Sequence, residues 1–533
     1  MNENLVRKLE PEDATYLADE SRQHGTAQWI AFPRTEMDVA AALEFARKTQ
    51  QPITVQGART GITGGAVPNG GLILNMSRMN RILGLRYEPE SDYFLLRVEP
   101  GILLCDLNET LQSLQFDSAE WDEESCKTLD LLRNSKPRFF PPDPTETSAS
   151  VGGMVANNAS GARSFAYGPT AQHVESLRAL VLNGTLLELS RGQHKAQART
   201  FHLEMDSGET FRGQLPSCDP PMVKCAAGYR TGADMDLVDL FTGMEGTLGV
   251  LTGIELRLAP APSFIWGMTA FLPSEENALK FVRILRGERV AGFESHEPFL
   301  QPVAIEFFNQ NVLTLLRRHK RENTAFTDIP EPPADARVAI YLEFHGDDEE
   351  TVSAAVLHAS NALVLLDGDE DATWLATEPR ELARLAHFRH AAPEAVNLLI
   401  DERRKQYPDL TKLGTDMSVP DSCLGKIMSL YNNDLKASGL ESVIFGHIGN
   451  NHLHVNILPR NPDEYAQGRA LYLDWAREVV SMGGSVSAEH GIGKLKRAFL
   501  ELMYGPEMID EMRALKRVFD PQGLLNPGNL FEI

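Results

Sequence analysis

Apolar positions recur along this chain in two rhythms. Between residues 35 and 49, Met37, Val39, Ala40, Leu43 and Ala46 return at helical spacing, which predicts a helix over that stretch. An earlier helix is expected over 12–23, with Pro11 placed at its opening turn. Short apolar runs bounded by turn residues predict strands at 52–56, 71–75, 93–98, 176–181 and 250–258, and a helix at 103–114. Farther along, strands at 338–344 and 442–445 alternate with helical stretches at 275–286, 349–360 and 464–482, and 453–458 reads as one more strand. The acidic runs 347–350 and 367–371 read as solvated loops or helix starts, and Ile329-Pro-Glu-Pro-Pro-Ala334 as a linker or loop. There is no internal repeat and no low-complexity tract.

Three glycine-rich elements interrupt the pattern, each abutting strand-like sequence. Gly57-Ala-Arg-Thr-Gly-Ile-Thr-Gly-Gly65 follows the 52–56 strand, and its backbone N–H groups can converge on an anion. It has neither the GxGxxG spacing of a dinucleotide fold nor the GKS/T ending of a P-loop, so a ligand-free hairpin is the alternative. The second element runs from Pro141 to Gly161 and closes with Tyr167-Gly168. Its small side chains from Ser148 onward let a planar ligand approach the backbone, or serve tight helix packing. The third is Leu240-Phe-Thr-Gly-Met-Glu-Gly-Thr-Leu-Gly-Val250. Together they suggest a dinucleotide held by loops from several strands.

The chemistry concentrates late in the chain. Phe445-Gly-His-Ile-Gly-Asn-Asn-His-Leu-His-Val-Asn456 puts three of fourteen histidines within eight residues, and Ser487-Ala-Glu-His-Gly-Ile-Gly493 follows. Imidazoles and a carboxylate gathered this way suit a borderline divalent metal; separately satisfied histidines are the plainer reading. On a strand His452, His454 and Asn456 share a face. His447 would face away unless the Gly-Asn-Asn turn brings it back. Glu489 and His490 are neighbours and are expected in a loop, freed by Gly491 and Gly493.

Composition narrows the class. A chain of 533 residues with 42% hydrophobic content suggests two or three domains. No apolar run approaches the ~18 residues that span a bilayer. The start, Met1-Asn-Glu-Asn-Leu5, carries no basic-then-apolar signal. A cytoplasmic address is expected, with at most peripheral attachment to the inner membrane. Cys105, Cys126, Cys218, Cys225 and Cys423 are scattered without a CxxC pair, which fits reduced thiols and excludes an iron–sulfur cluster in this chain. The net charge of −23 argues against nucleic acid as a partner.

The runs PITVQGARTGITGGAVP, PPDPTETSASVGGMVANNASGARSFAYG and EGTLGV, the knots GHIGNNHLHVN and SAEHGIG, and the ending FDPQGLLNPGNLF together resemble the FAD-linked D-2-hydroxyacid dehydrogenases. These are D-lactate, glycolate and D-2-hydroxyglutarate dehydrogenases of the vanillyl-alcohol-oxidase type. The resemblance runs from about residue 28 to the C-terminus. It implies an α+β fold: an FAD-binding domain of PCMH type at 1–262, a ferredoxin-like α/β cap at 263–499 bearing a metal site, and a return to the FAD domain at 500–533.

By that resemblance, Gly57, Arg59, Thr60, Gly61, Thr63, Gly64 and Gly65 cradle the FAD pyrophosphate. Pro142, Asp143, Thr147, Gly152, Gly153, Asn157, Gly161 and Tyr167, with Glu245, Gly246, Gly249 and Val250, line the flavin and adenosine, and Asn526 returns to the isoalloxazine. The main flavin loops hold no histidine or cysteine, so the FAD is expected to be non-covalent. His447, His454 and Glu489 match the metal ligands, His490 the general base, and Arg389 the arginine for the substrate carboxylate; a surface arginine is the alternative for the last. Zinc is the first expectation for His/His/Glu, with manganese or ferrous iron next. The expected reaction takes a D-2-hydroxy acid to the 2-oxo acid, with electrons passing to a quinone, cytochrome, electron-transfer flavoprotein or iron–sulfur partner. A homodimer is left open.

Two departures stand on the substrate side. Gly449-Asn-Asn-His452 replaces the family's Gly-Asp-Gly-Asn, so His452 is either a fourth ligand or a hydrogen-bonding neighbour. The lysine common two residues before the aspartate of Asp416-Met-Ser-Val-Pro420 is Gly414 here, with Lys412 two residues farther upstream. The rival readings are a flavin-dependent alkyl transferase of the ether-lipid synthase kind and a non-catalytic electron-relay subunit. The Glu489–His490 pair beside metal-type histidines argues against both.

Overall fold

The computed structural model describes residues 5–205, 208–293 and 299–533. The N-terminal part carries a four-stranded sheet in the order Val6–Lys8, Trp29–Ala31, Leu72–Asn75, Ile53–Gln56, parallel except for the outermost pair. Helix Glu36–Thr49 packs on it through Val39, Ala42, Leu43 and Ala46. Thr35 and Asp38 form a reciprocal capping box that sets the helix start. The helix expected over 12–23 is instead a 3₁₀ segment, Pro11–Leu17, followed by turns. The Asp19 carboxylate accepts from the backbone N–H and hydroxyl of Ser21, a local turn that competes with helical hydrogen bonding.

A second sheet runs Ile82–Glu88, Tyr93–Val98, Val250–Pro260, Val174–Leu180, Leu186–Ser190, all antiparallel, with Arg138–Phe139 pairing beside Val250–Pro260. The first glycine-rich element leaves the edge strand Ile53–Gln56, the second follows Arg138–Phe139, and the third leads into the central strand Val250–Pro260. Within the second one, Val151–Asn157 forms a short helix capped by Ser150, where only small side chains let it lie against Pro100.

The third sheet has eight strands. Its main path is Trp374–Ala376, Phe264–Leu272, Val338–Gly346, Ala304–Asn309, Ser442–Gly446, His452–Ile457, Leu413–Gly414. Strand Val338–Gly346 is buried on both sides. Ile340, Leu342 and Phe344 meet helices Glu275–Leu285 and Glu349–Leu365 in one core. Ala339 and Tyr341 meet Gln310–Glu322 and Pro379–Arg404 in another. The fold is therefore the expected α+β arrangement, with two N-terminal sheets and an added, larger α/β sheet.

The C-terminal helix Arg497–Phe519, kinked at Gly505, carries the chain back to the first sheet, where Leu525 bridges Ile53. The return is latched by Lys516, which is 1% exposed. Its ammonium donates to Asp520 Oδ2 at 2.7 Å and to the Thr247 and Leu525 carbonyls at 2.7 and 2.8 Å.

Candidate active site

A cavity of about 1170 Å³ lies where the three glycine-rich elements, the eight-stranded sheet and the C-terminal return converge. Gly57, Arg59, Thr60, Gly61, Thr63, Gly65, Gly152, Gly153, Asn157, Glu245, Gly246, Gly249 and Asn526 line it. A volume of this size, walled by main chain and small side chains, fits a dinucleotide. Two glycines are there for close approach. A Cβ on Gly57 would meet Ser150 Oγ at 2.0 Å, and one on Gly493, whose φ is +51°, would meet the Thr63 carbonyl at 2.2 Å.

Seven of the expected cofactor residues are set back from the cavity. Asp143 is turned toward Arg163 and Arg389, and the Gly161 backbone is pressed against it. The Tyr167 hydroxyl lies 2.8 Å from His345 Nδ1, so it ties the second glycine-rich element to the large sheet. Val250 is fully buried in the first core, Pro142 is buried, Thr147 is exposed, and Gly64 lies behind Lys494 and Leu495.

At the inner end of the cavity the two polar knots meet. The turn Ile448–Asn450, followed by Asn451 in the left-handed region, reverses the chain after His447 and returns it to the face of His454. His447 Nε2 and His454 Nε2 each lie 3.3 Å from Glu489 Oε1. Both spacings match the edge of a tetrahedron with bonds of about 2.1 Å, the Zn–N and Zn–O range. Each ring's other nitrogen is committed: His447 Nδ1 donates to Glu306 Oε1 at 2.6 Å, and His454 Nδ1 donates to the Thr415 carbonyl at 2.9 Å. With Nδ1 committed, Nε2 is the ring atom that each histidine turns toward Glu489. Burial opposes charge on His447, yet Glu306 and Glu489 outweigh it and raise its pKa to about 9. The carboxylates hold positive charge at this point, so these residues fit a divalent cation.

His452 is fully buried beside them. Its Nε2 lies 3.0 Å from Asp416 Oδ1 and its Nδ1 3.9 Å from Glu489 Oε2, and neither nitrogen completes a hydrogen bond. Burial and the neighbouring His454 hold it neutral. It belongs to the same cluster of ligand atoms, all within 4.8 Å of one another.

His490 lies on the other side of Glu489, with Nε2 3.5 Å from Glu489 Oε1 and Nδ1 3.4 Å from Asp416 Oδ2. Asp416 organises the whole loop. It accepts from Ser487 Oγ and Lys496 Nζ, both at 2.6 Å, and from the backbone N–H groups of Glu489 and His490 at 3.2 and 3.1 Å. Burial alone would raise its pKa, but His490 and Lys496 keep it well below the carboxylate range. Glu245 anchors the far end of the loop by accepting from Ile492 and Gly493 N–H, each at 2.7 Å. Arg389 lines the cavity nearby, with Nη2 2.8 Å from His390 Nε2. Burial and the adjacent guanidinium pull His390 down to about 4, so this ring is neutral.

Sequence similarity agrees with this geometry. Residues 268–530 match the model of the C-terminal domain of FAD linked oxidases, and 27–129 and 124–190 match an FAD binding domain. The chain belongs to the FAD-linked D-2-hydroxyacid dehydrogenases.

A probable mitochondrial D-lactate dehydrogenase of Danio rerio is 29% identical to this dehydrogenase over 95% of its chain and 84% of the fish protein. A D-lactate dehydrogenase of Anaerostipes hadrus is 28% identical over 92% and 87%. An alkyldihydroxyacetonephosphate synthase structure superposes with a TM-score of 0.61, covering 99% of this chain and 82% of that one at 15% identity, a likeness of fold alone. Among the described residues no helix is long and apolar enough to cross a membrane.

Lys224, Glu306 and Lys496 of the candidate site carry no local sequence signal, and Asp416 entered only as the landmark of a motif. Lys224, from a loop, donates to Glu489 Oε2 at 2.7 Å, which leaves Oε1 to the histidines. Glu306, from the middle of a strand, orients His447. Asp416 and Lys496 hold the His490 loop.

Proposed function

We propose that this dehydrogenase oxidises a D-2-hydroxy acid to the 2-oxo acid at the cluster of His447, His454, Glu489 and His490. The observation that carries the reading is the meeting of both histidine Nε2 atoms on one Glu489 oxygen, with His490 3.5 Å away from that oxygen. His447, His454 and Glu489 would hold a divalent metal, zinc first, which supplies Lewis-acid polarisation of the substrate hydroxyl. The glycine-lined cavity would hold non-covalent FAD, which supplies the two-electron acceptor.

The chain's own residues do the rest. His490, aimed by Asp416, takes the hydroxyl proton on its neutral imidazole as the C–H hydride departs. Arg389 pairs with the substrate carboxylate through its planar fork and so turns the C–H toward the flavin side of the cavity. Lys224 occupies Glu489 Oε2, so Oε1 is the oxygen that would be offered to a metal. Adjacent residues 489 and 490 keep ligand and base within one substrate's width. Electrons leave to a quinone, cytochrome, electron-transfer flavoprotein or iron–sulfur partner.

The test is anaerobic bleaching of the purified yellow protein by a panel of D- and L-2-hydroxy acids, with and without chelator. The expected result is bleaching by D-acids that chelation abolishes. No bleaching by any acid overturns the reaction, and bleaching indifferent to chelator removes the metal from it.

A further inference from the structure

The cavity does not stop at the histidines. Along strand His452–Ile457, His454 and Asn456 share one face, and Gly414 on the neighbouring strand pairs directly with Asn456. Lys412 precedes that two-residue strand, Leu413–Gly414, and lines the same cavity. Carried one residue past the strand end, the register puts Lys412 about 14 Å from His454, backbone to backbone, at about 3.4 Å per residue. Between them Gly414 contributes no side chain; a Cβ there would come 2.9 Å from Asn456 Oδ1. His454, Asn456, Gly414 and Lys412 all line the one cavity, and helix Pro379–Arg404 faces it with Arg389 and, two turns on, Asn397.

The two ends of this lobe differ in how their cations are matched. Arg389 sits among Glu306, Asp143 and Glu343, whose charges raise its pKa against the effect of burial. Lys412 Nζ donates to Asn397 Oδ1 at 3.0 Å, a neutral partner. Burial and the nearby Arg22 lower its pKa to about 8, and no carboxylate among the described residues offsets them. An ammonium directed into a ligand cavity with only an amide for company is under-compensated, and an incoming carboxylate restores the balance.

We propose that Lys412, held by Asn397, is a specificity-determining residue that receives a second carboxylate at the far end of the substrate. The substrate class is then a D-2-hydroxy dicarboxylic acid rather than a monoacid. One ammonium with one amide N–H₂ matches a singly charged carboxylate; a phosphate dianion asks for more donors. The stem between the two carboxylates runs past Phe308 and Phe445, which suits methylenes. This inference rests on the dehydrogenase reading above.

The experiment compares kcat/KM for D-2-hydroxyglutarate and D-2-hydroxyadipate with D-2-hydroxyvalerate and D-2-hydroxycaproate, in the FAD-loaded wild type and in Lys412→Met and Lys412→Arg. The wild type is expected to prefer a diacid by at least 20-fold. Lys412→Met should collapse that ratio to near unity, mainly through KM, and Lys412→Arg should restore most of it. A wild type that favours the monoacids, or a Lys412→Met ratio within 2-fold of wild type, overturns the proposal. In parallel, 2-oxoglutarate and 2-oxovalerate are titrated against the flavin absorbance. Lys412→Met should weaken the diacid at least 10-fold relative to the monoacid, and equal weakening overturns the proposal. The titration reads binding without turnover. A failure of the dehydrogenase reading, in which no hydroxy acid bleaches the flavin, is thereby distinguished from a failure of the Lys412 subsite.

Discussion

Replacing Asp416 by Asn exchanges one oxygen for an N–H₂ and keeps the shape, yet the structure makes it one of the costliest single changes available. Oδ2 accepts from Ser487 Oγ, Lys496 Nζ and His490 N–H, and Oδ1 accepts from Glu489 N–H. An asparagine must turn its N–H₂ toward one of these sets of donors. Turning it toward Glu489 N–H is the cheaper choice and leaves one buried donor unpaired, about 1–3 kcal/mol. The lost charge opposite Lys496, a pair only 12% and 1% exposed, adds about 3 kcal/mol, the low end for a broken buried pair. A sum of about 4–6 kcal/mol falls on the loop that carries Glu489 and His490. The loop relaxes instead of bearing it, and His490 loses its orienter. Loss of a correctly aimed base is worth about 10²–10⁴ in rate. The assay is stopped-flow flavin reduction under anaerobic conditions, with FAD content read from absorbance. The expected outcome is FAD retained near wild-type occupancy and reduction slowed by that factor. Reduction within about 5-fold of wild type would refute the reasoning, and so would loss of FAD in parallel with rate, which would make Asp416 a prop for the flavin cavity.

Glu306→Gln weakens the orientation of His447 and is expected to lower metal affinity by about 10–100-fold, measured by competition with a chromophoric chelator. Unchanged affinity would mean that His447 is not a ligand. His490→Ala should bind FAD normally and lose about 10²–10⁴ in reduction rate, and full-rate reduction would eliminate it as the base. Lys516→Met leaves Asp520 buried without its counter-charge and should destabilise the fold by about 3 kcal/mol, seen as a lower urea midpoint for the holoprotein. A midpoint equal to wild type would show that the C-terminal return does not depend on this latch. Acid precipitation should release all flavin absorbance to the supernatant, because the cofactor is held without a covalent bond; absorbance retained in the pellet counters this.

Local chemistry in the chain carried much of this architecture. Helix Glu36–Thr49, strand Tyr93–Val98 and helix Glu275–Leu285 follow from periodicity and caps that lie within a few residues of one another. The return of His447 was legible too, because Gly449, Asn450 and Asn451 are turn residues adjacent to it in sequence. Helix Pro379–Arg404 was not read, since Pro393 breaks its pattern by removing the hydrogen bond to the Arg389 carbonyl; packing of Leu385, Phe388, Val396 and Ile400 holds it together regardless. What only tertiary structure decided is which distant charges meet. Lys224 and Glu306 sit in stretches that look ordinary by themselves, and they become part of the site because separate elements bury them against Glu489 and His447. Burial removes water as a competitor, so each of these groups must find its partner in the fold, and spacing along the chain says nothing about which partner that will be.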